Sequence, residues 1–564
     1  MNATMLKVLF LCSVLFLCTR LNAQVENVPL EDEVYGFLKK LSVKKIIGSI
    51  DDDNPNLSTF EVSQLLKTAL KKSKQLSEVE RKLISKFRVK YDYEYMNSEN
   101  SYQLIGSENG FKRSTYDFLR NKEGYLFTYR TDNVSFFSRL SAQGLVTGEL
   151  SGQNKYSSRV YNVSLNLKGT LFNNLGYKFG FESGGIAGNT SLAYKTFRRV
   201  FLGTEKQDIS GGKYKNKFTF INGYLKYEIL PSENMKLSVQ LGREKIKYGL
   251  GYSQGLIFSG NHADMDFIKF NFKYGLFNFS SLTASTNENF IKDNEPFTKY
   301  IAMNRAKFSL NDLFDIGIGE VIVYSRPFEL AYLNPLMFYK FAEFSLQDRD
   351  NGFMFFDLQT HFIKGLQFQA TYLMDENIIF DNPFDFSRST NKVALQVGMF
   401  SYEPFGIPDL SFFTEYTLIR PYVYSHRSNK STFTARGHII GNEIGPNADQ
   451  ILFNSEYYLF DNFIIKAQYS RTRKGKNIVD ENGNMIKNVG GDVYVPLNEA
   501  LDPKVAPFLD GIRANRDELS LSVKYEPLLN IRLELNCIFT KYSEPELNIN
   551  TSDSFAYMKI GVGI

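Results

Sequence analysis

Residues 251–255, Gly251-Tyr252-Ser253-Gln254-Gly255, match the G-x-S-x-G pattern. That pattern makes a nucleophile when a strand turns sharply into a helix and lifts the serine hydroxyl clear of the backbone. The residues that follow, Leu256-Ile257-Phe258-Ser259-Gly260-Asn261-His262, carry no helical spacing. A serine hydrolase would need one of the four histidines (His262, His361, His426, His438) brought to Ser253 from another strand. Those histidines show neither H-E-x-x-H nor i, i+4 metal spacing, and no G-x-x-x-x-G-K-[ST] phosphate loop occurs. Of the three cysteines, Cys12 and Cys18 lie in an apolar leader and only Cys537 remains beyond it. One cysteine excludes a disulfide framework and a multi-cysteine zinc site. The expectation is no catalytic residue, no metal and no cofactor.

A second signal occupies the central third. Arg243 precedes Tyr248-Gly249-Leu250-Gly251, and Ser259, Asn261, His262 and Asp264 follow. Then come Gly319-Glu320, Ala331-Tyr332-Leu333-Asn334-Pro335, Tyr339, Glu343, Asp350-Asn351, Asp357 and Tyr372-Leu373-Met374-Asp375-Glu376. Carboxylates and amides pair with hydroxyl groups, and aromatic faces cover the apolar side of a sugar ring. Arg243, Tyr248, Glu320, Tyr332, Asn334, Tyr339 and Asp357 supply these types and are the candidate ligand-binding residues. The competing reading makes them a buried polar network bracing an interior, with Pro335 setting a turn.

The elements that must position these residues are strands. From about residue 116 the apolar pattern has period 2. Val163, Leu165 and Leu167 alternate with Ser164, Asn166 and Lys168; Ile268, Phe270, Phe272 and Tyr274 alternate with Lys269, Asn271 and Lys273. Phe463, Ile465, Ala467 and Tyr469, and Ile531 through Phe539, repeat the pattern. Several segments run about 9–12 residues, the length a tilted strand needs to cross a bilayer and about twice that of an average soluble strand. Short turns (172–175, Gly275-Leu276, Lys364-Gly365, 460–462) contrast with a long polar connection from Gly475 to Asn515. Short turns at one end and long loops at the other describe an outer-membrane barrel, here of about 18 strands. The 50 Phe and 34 Tyr would supply the lipid face and the interface girdles, although Trp is absent. No 40–50-residue repeat favours a propeller, and a water-soluble sandwich would have to bury all these apolar faces against one another.

Two segments precede the strands. Residues 1–23 carry Lys7, an apolar run from Val8 to Cys18 and a small residue, Ala23, at the boundary, the layout of a secretory signal peptide. Residues 31–90 read as three short amphipathic helices, with Val34, Phe37, Leu38 and Leu41 on one face of the first. Ser58 with Glu61 and Ser77 with Glu80 fit capping boxes, and Asp51 to Asn56 form the turn between the first two helices. These helices carry 13 basic and 9 acidic residues, read as a solvated outer face or as a surface for peptidoglycan or a periplasmic protein. The formal charge of +5 is too small to argue for nucleic acid. With the leader and helices set aside, residues 91–564 are neutral overall, which suits a hydroxyl-rich or zwitterionic ligand more than a polyanion. The expected organisation is a leader over 1–23, a periplasmic helical region over 24–115 and a transmembrane β-barrel over 116–564.

The ordered string of motifs resembles the capsule-assembly (Wzi-type) outer-membrane family. Arg243 with Tyr248-Gly249-Leu250-Gly251 is similar to that family's Arg…Trp-Gly-Pro-Gly, with Tyr248 for Trp and Leu250 for Pro. Tyr332-Leu333-Asn334-Pro335, Glu320 before it, and Asp350-Asn351 with Asp357 after it also match, as does the helical prefix. The resemblance implies an 18-stranded barrel of the Gram-negative outer membrane with an N-terminal helical bundle at its periplasmic end. It implies a non-enzymatic lectin that helps hold capsular or other surface polysaccharide on the cell. Its partners would be outer-membrane lipid and that polysaccharide. The alternatives are a diffusive porin, a transport or secretion-associated barrel, and an outer-membrane esterase acting through Ser253.

Overall fold

The computed structural model describes residues 24–106, 113–151, 155–197, 216–232, 234–289, 296–310, 312–347, 349–375 and 387–564. The leader and Glu376 lie outside the described residues. Strand propensity and alternation produce one closed antiparallel barrel. Its first nine strands are β1 (Val134–Glu149), β2 (Ser157–Leu171), β3 (Leu175–Gly188), β4 (Lys217–Ser232), β5 (Met235–Glu244), β6 (Met265–Tyr274), β7 (Phe277–Asn289), β8 (Pro296–Ser309) and β9 (Phe314–Tyr324). The remainder are β10 (Asn351–Thr360), β11 (Leu366–Asp375), β12 (Lys392–Tyr402), β13 (Leu410–Ile419), β14 (Ala448–Phe460), β15 (Phe463–Lys476), β16 (Ile512–Leu528), β17 (Ile531–Glu544) and β18 (Ile549–Gly563). The ring closes where β18 pairs with β1, from Phe555 opposite Glu149 to Gly563 opposite Ser141. Closure leaves no unpaired edge, so backbone polar groups are satisfied without water.

The connections sort by length. At one end tight turns join β2 to β3, β6 to β7 and β14 to β15. Phe172 and Asn173 both take positive φ, +53° and +63°, the twist that a two-strand reversal requires. At the other end lie the long connections 245–264, 325–350, 420–447 and 477–511. Alternation fixes which side chains face where. On β9, Ile316 and Ile318 are exposed on the outer wall, while Val321 and Val323 are buried in a core inside the barrel.

The N-terminal segment folds as α1 (Glu33–Val43), α2 (Thr59–Lys71) and α3 (Glu78–Tyr91). Both capping boxes form, with Ser58 and Glu61 opening α2 and Ser77 and Glu80 opening α3. Val34, Phe37, Leu38 and Leu41 face Val62, Leu66, Leu83, Ile84 and Phe87 in a small core that extends onto Tyr458 of β14 and Ile464 of β15. This bundle sits within the ring at the short-turn end. The bundle reaches Lys307 on β8, Glu456 on β14 and Lys524 on β16, and Glu26 and Asn27 ahead of it reach Thr170 on β2 and Gln240 on β5.

Many of its charges are therefore not a solvated face. Lys40 pairs with Glu456, Glu61 with Lys236 and Lys86 with Glu526, because strand residues pointing inward carry the opposite sign. The Lys236 ammonium offsets the burial of Glu61 and holds its carboxyl down at about 2. Lys71, Lys72, Lys74 and Arg81 remain exposed on the far side of the bundle.

Candidate functional site

The lumen is filled from both ends. From the long-loop end, residues 245–264 and 420–447 fold inward and build an apolar core with the wall. Tyr248, Ile257, Phe258, Tyr424 and Phe433 pack there against Val321, Val323, Phe353 and Phe355. Glycines allow this path. Gly249 takes φ +93° and Gly251 φ +151°, and a Cβ at Gly251 would lie 2.8 Å from the backbone nitrogen of Gly255. The loops lock onto each other and onto the bundle. Tyr424 donates its hydroxyl to the Leu256 carbonyl at 2.7 Å, Ser259 N–H reaches Ile440 at 3.0 Å, and Gly249 N–H reaches the Asp53 carbonyl at 2.8 Å.

The G-x-S-x-G segment belongs to this inward loop and is no nucleophile elbow. Ser253 donates its hydroxyl to Glu415 of β13, and Tyr252 N–H donates to the same carboxylate at 2.7 Å. His262 has its two ring nitrogens 2.8 Å from the carbonyls of Ala263 and Ile246. Its ring is buried, which pushes its pKa below the usual histidine range.

Beneath the inward loops the acidic turn of the bundle meets a basic wall. Asp53 contacts Arg305 at 2.5 Å and Lys307 at 3.0 Å, and Asp51 also pairs with Lys307. Asp357 on β10 accepts from Arg305 at 2.9 Å and from the Thr371 hydroxyl at 2.8 Å. Burial alone would raise the pKa values of Asp51 and Asp53. The adjacent Lys307 and Arg305 more than offset it and hold both below the ordinary carboxylate range. Asp357 is thus part of a lumen network, and buried Tyr248 lies above it with the Lys269 ammonium 5.3 Å from its ring.

The other candidate residues stand on the outer side of the wall. Arg243 shares its parity with the exposed Val239 and Leu241, and it forms a bidentate pair with Asp266 at 2.6 Å across β5 and β6. Glu320 shares the outward parity of Ile316 and Ile318. The connection 325–350 lies over this part of the wall, with a short 3-10 turn, Leu330–Leu333, and a helix. Counting a helix at Thr190–Thr196 as α4, that helix, Tyr339–Ser345, is α5. Glu320 accepts from the Tyr339 N–H with both oxygens at 2.9 Å. Tyr339 donates to the Tyr332 carbonyl at 3.0 Å, and Tyr332 donates to Asp350 at 2.9 Å. Arg326 bridges Asp350 and Glu329. Asn334 is exposed and its side chain accepts from Leu336 N–H at 3.1 Å, a turn-forming contact. The seven candidates thus divide into a lumen group of two and an outer group of five.

A cavity of about 230 Å³ remains in the lumen between the start of the N-terminal segment and strands β2 to β7. Its lining includes Asn27, Asn56, Asn166, Asn222 and Gln240, with Tyr224 beside them. Lys178 and Glu244, also in the lining, neutralise each other at 2.6 Å. Lys245, paired with Glu31 at 2.7 Å, and Lys247, Lys269 and Asp264 also line it, so the cavity sets amides and a phenol among charges of both signs, a mixture that suits hydroxyl-rich or zwitterionic groups. None of the seven candidates lines it. The available signal was parity, because Asn166 lies between Leu165 and Leu167 and Gln240 between Val239 and Leu241.

The family profile of the capsule assembly protein Wzi matches residues 133–536, and the chain belongs to that family. Among solved structures it is similar to Wzi of Escherichia coli, described as an outer-membrane protein involved in group 1 capsule assembly and a carbohydrate-binding β-barrel. The two share 12% identity with a TM-score of 0.56, over 96% of this chain and 99% of that one. At that identity the likeness is one of fold. Two Pseudomonas aeruginosa proteins also match, OpdO at 7% identity and OccK8 (OprE) at 9%, each with a TM-score of 0.43. Each match covers 76% of this chain, and 97% of OpdO and 98% of OccK8. No curated protein sequence matches.

Proposed function

We propose that this member of the Wzi family is a non-catalytic barrel that binds surface polysaccharide and anchors it at the outer membrane. The observation that carries the reading is a lumen that the described residues fill from both ends, leaving a cavity of about 230 Å³ lined by amides, a phenol and charges of both signs, room for a sugar unit. Asn166, Asn222 and Gln240 are the hydroxyl-binding groups in this reading, and Lys178 with Glu244 accommodates a neutral or zwitterionic residue of the polymer. Tyr248 and Asp357 brace the lumen, and Arg243 with Asp266 lies on the outer wall. By the layout of outer-membrane barrels, the short turns and the bundle face the periplasm and the long loops face the exterior. Residues 1–23 are the export leader, 24–115 the periplasmic part and 116–564 the barrel in the same reading. The exposed Lys71, Lys72, Lys74 and Arg81 are offered to peptidoglycan or a periplasmic protein.

The test pairs glycan binding by detergent-purified protein with planar-bilayer conductance. Binding without conductance supports the reading; conductance without binding favours the porin. In cells, deletion should leave the polysaccharide made and exported but shed, and an unchanged cell-bound layer would refute the anchoring role.

A further inference from the structure

The outer wall carries an unusual cover. Over the long-loop half of β8 and β9, the connection 325–346 packs Tyr332, Tyr339 and Ala342 against the outward residues Ala302, Ile322 and Tyr324. Gly352 at the start of β10 makes room for it, since a Cβ there would meet the Glu343 carboxylate and Ile322, both at 3.2 Å. The polar groups of the segment turn toward the wall or toward one another. Glu320 holds the first N–H of α5, and Arg326 binds Asp350 and Glu329. Lys340 pairs with Glu343 at 2.6 Å.

The opposite side is largely apolar, Asn334 and Ser345 apart, and has no protein over it among the described residues. Leu330, Leu333, Leu336, Phe338, Phe341 and Phe344 are all exposed, Leu336 by 91% and Phe341 by 68%. Six such residues within 15 positions exceed the scattered apolar exposure of an aqueous surface. The depth identifies the occupant. The strand residues just below the cover, Ile316 and Ile318, are 47% and 41% exposed on the lipid-facing wall. Eleven residues of β9, at ~3.3 Å each and tilted by about 40°, rise roughly 28 Å, close to the ~25 Å height of the apolar band. A segment resting on the upper half of that strand is level with the outer leaflet.

We propose that residues 325–346 form a lipid-facing foot that inserts its leucine and phenylalanine side chains among the acyl chains of the outer leaflet. Glu320, Tyr332 and Tyr339 then serve as its fastenings to the wall, and the surface widens the apolar contact of the barrel on one side. This proposal stands apart from the polysaccharide reading and survives its failure.

The absence of tryptophan allows a direct test in the full-length protein. Leu336→Trp and Phe341→Trp each introduce a single indole at the foot. Ile316→Trp places one on the lipid wall, and Leu501→Trp places one on an exposed loop. In liposomes of brominated phosphatidylcholine, the indoles at 336 and 341 should lose most of their fluorescence, as at 316. They should resist aqueous iodide, which quenches at 501. Quenching by iodide and not by bromolipid would overturn the proposal in favour of a water-facing surface. Protection from both quenchers would overturn it in favour of a second copy of the chain seated there.

Discussion

The seating of the bundle against the wall can be broken by two small substitutions. Asp51 and Asp53 contribute carboxylates to Lys307 and Arg305, and the side chains of Asp53, Arg305 and Lys307 are each 4% exposed or less. Asp51→Asn with Asp53→Asn leaves Lys307 with only Asp315, 3.9 Å away, and Arg305 with only Asp357. Removing one partner of a buried ion pair costs about 3–5 kcal/mol. Because Asn retains a hydrogen-bonding oxygen and Arg305 keeps Asp357, the lower value of about 3 kcal/mol applies. At ~1.4 kcal/mol per decade this raises the ratio of unseated to seated bundle by about two orders of magnitude. Limited proteolysis should read that change as faster cutting within residues 24–91 in the double variant than in the wild type. Replacing Asp51, Asp53, Arg305, Lys307 and Asp357 together with apolar residues of similar size should restore the seating, since a filled apolar contact stands in well for a buried network. The reasoning fails if the double variant stays as resistant to protease and as stable to urea as the wild type.

Acid should act on the same contacts only at low pH. The folded-state pKa values of Asp51 and Asp53 lie below the ordinary carboxylate value of about 3.9. Their stabilisation is therefore complete above about pH 5 and disappears as pH falls through the lowered values; the protease resistance of the bundle measured between pH 8 and pH 5 should remain flat. Asn222→Ala together with Gln240→Ala should weaken glycan binding at least tenfold, about 1.4 kcal/mol, with an unchanged barrel by circular dichroism. Gly169→Ala sets a Cβ 1.9 Å from the Ser135 carbonyl oxygen, so the β1–β2 pairing must shift at a cost of about 1–3 kcal/mol, visible as a lower urea midpoint. Glu320→Ala removes the acceptor for Tyr339 N–H and should cost the foot about 1 kcal/mol, read as faster protease cutting between 325 and 350 while the barrel stays intact.

The strands were legible because lipid and lumen impose opposite polarity on alternate residues. The pattern in Ile268 to Tyr274 and in Ile531 to Phe539 survives in β6 and β17 without change. Both capping boxes were legible for a similar reason, since a serine and a glutamate three apart have one local use. Side was legible at the site as well. Arg243 keeps step with Val239 and Leu241, and Glu320 with Ile316 and Ile318, so parity alone sets both on the outer wall. The pairing of the helix charges with inward strand residues was not legible, because it depends on which of 18 strands each helix faces. The location of Tyr332 and Tyr339 was equally hidden. Their packing partners, Ala302 and Ile322, have the look of ordinary lipid-facing residues until the connection folds over them.

The seating contacts have a consequence for ionic strength. Electrolyte weakens attraction by placing counterions between charges, and at 1 M its reach is ~3 Å from a wetted surface. Asp53, Arg305 and Lys307 touch at 2.5–3.0 Å with almost no wetted surface, so no counterion fits between them. A seat built from surface charge loosens in brine. This one should pass through concentrated salt unchanged and yield only to agents that unfold the chain.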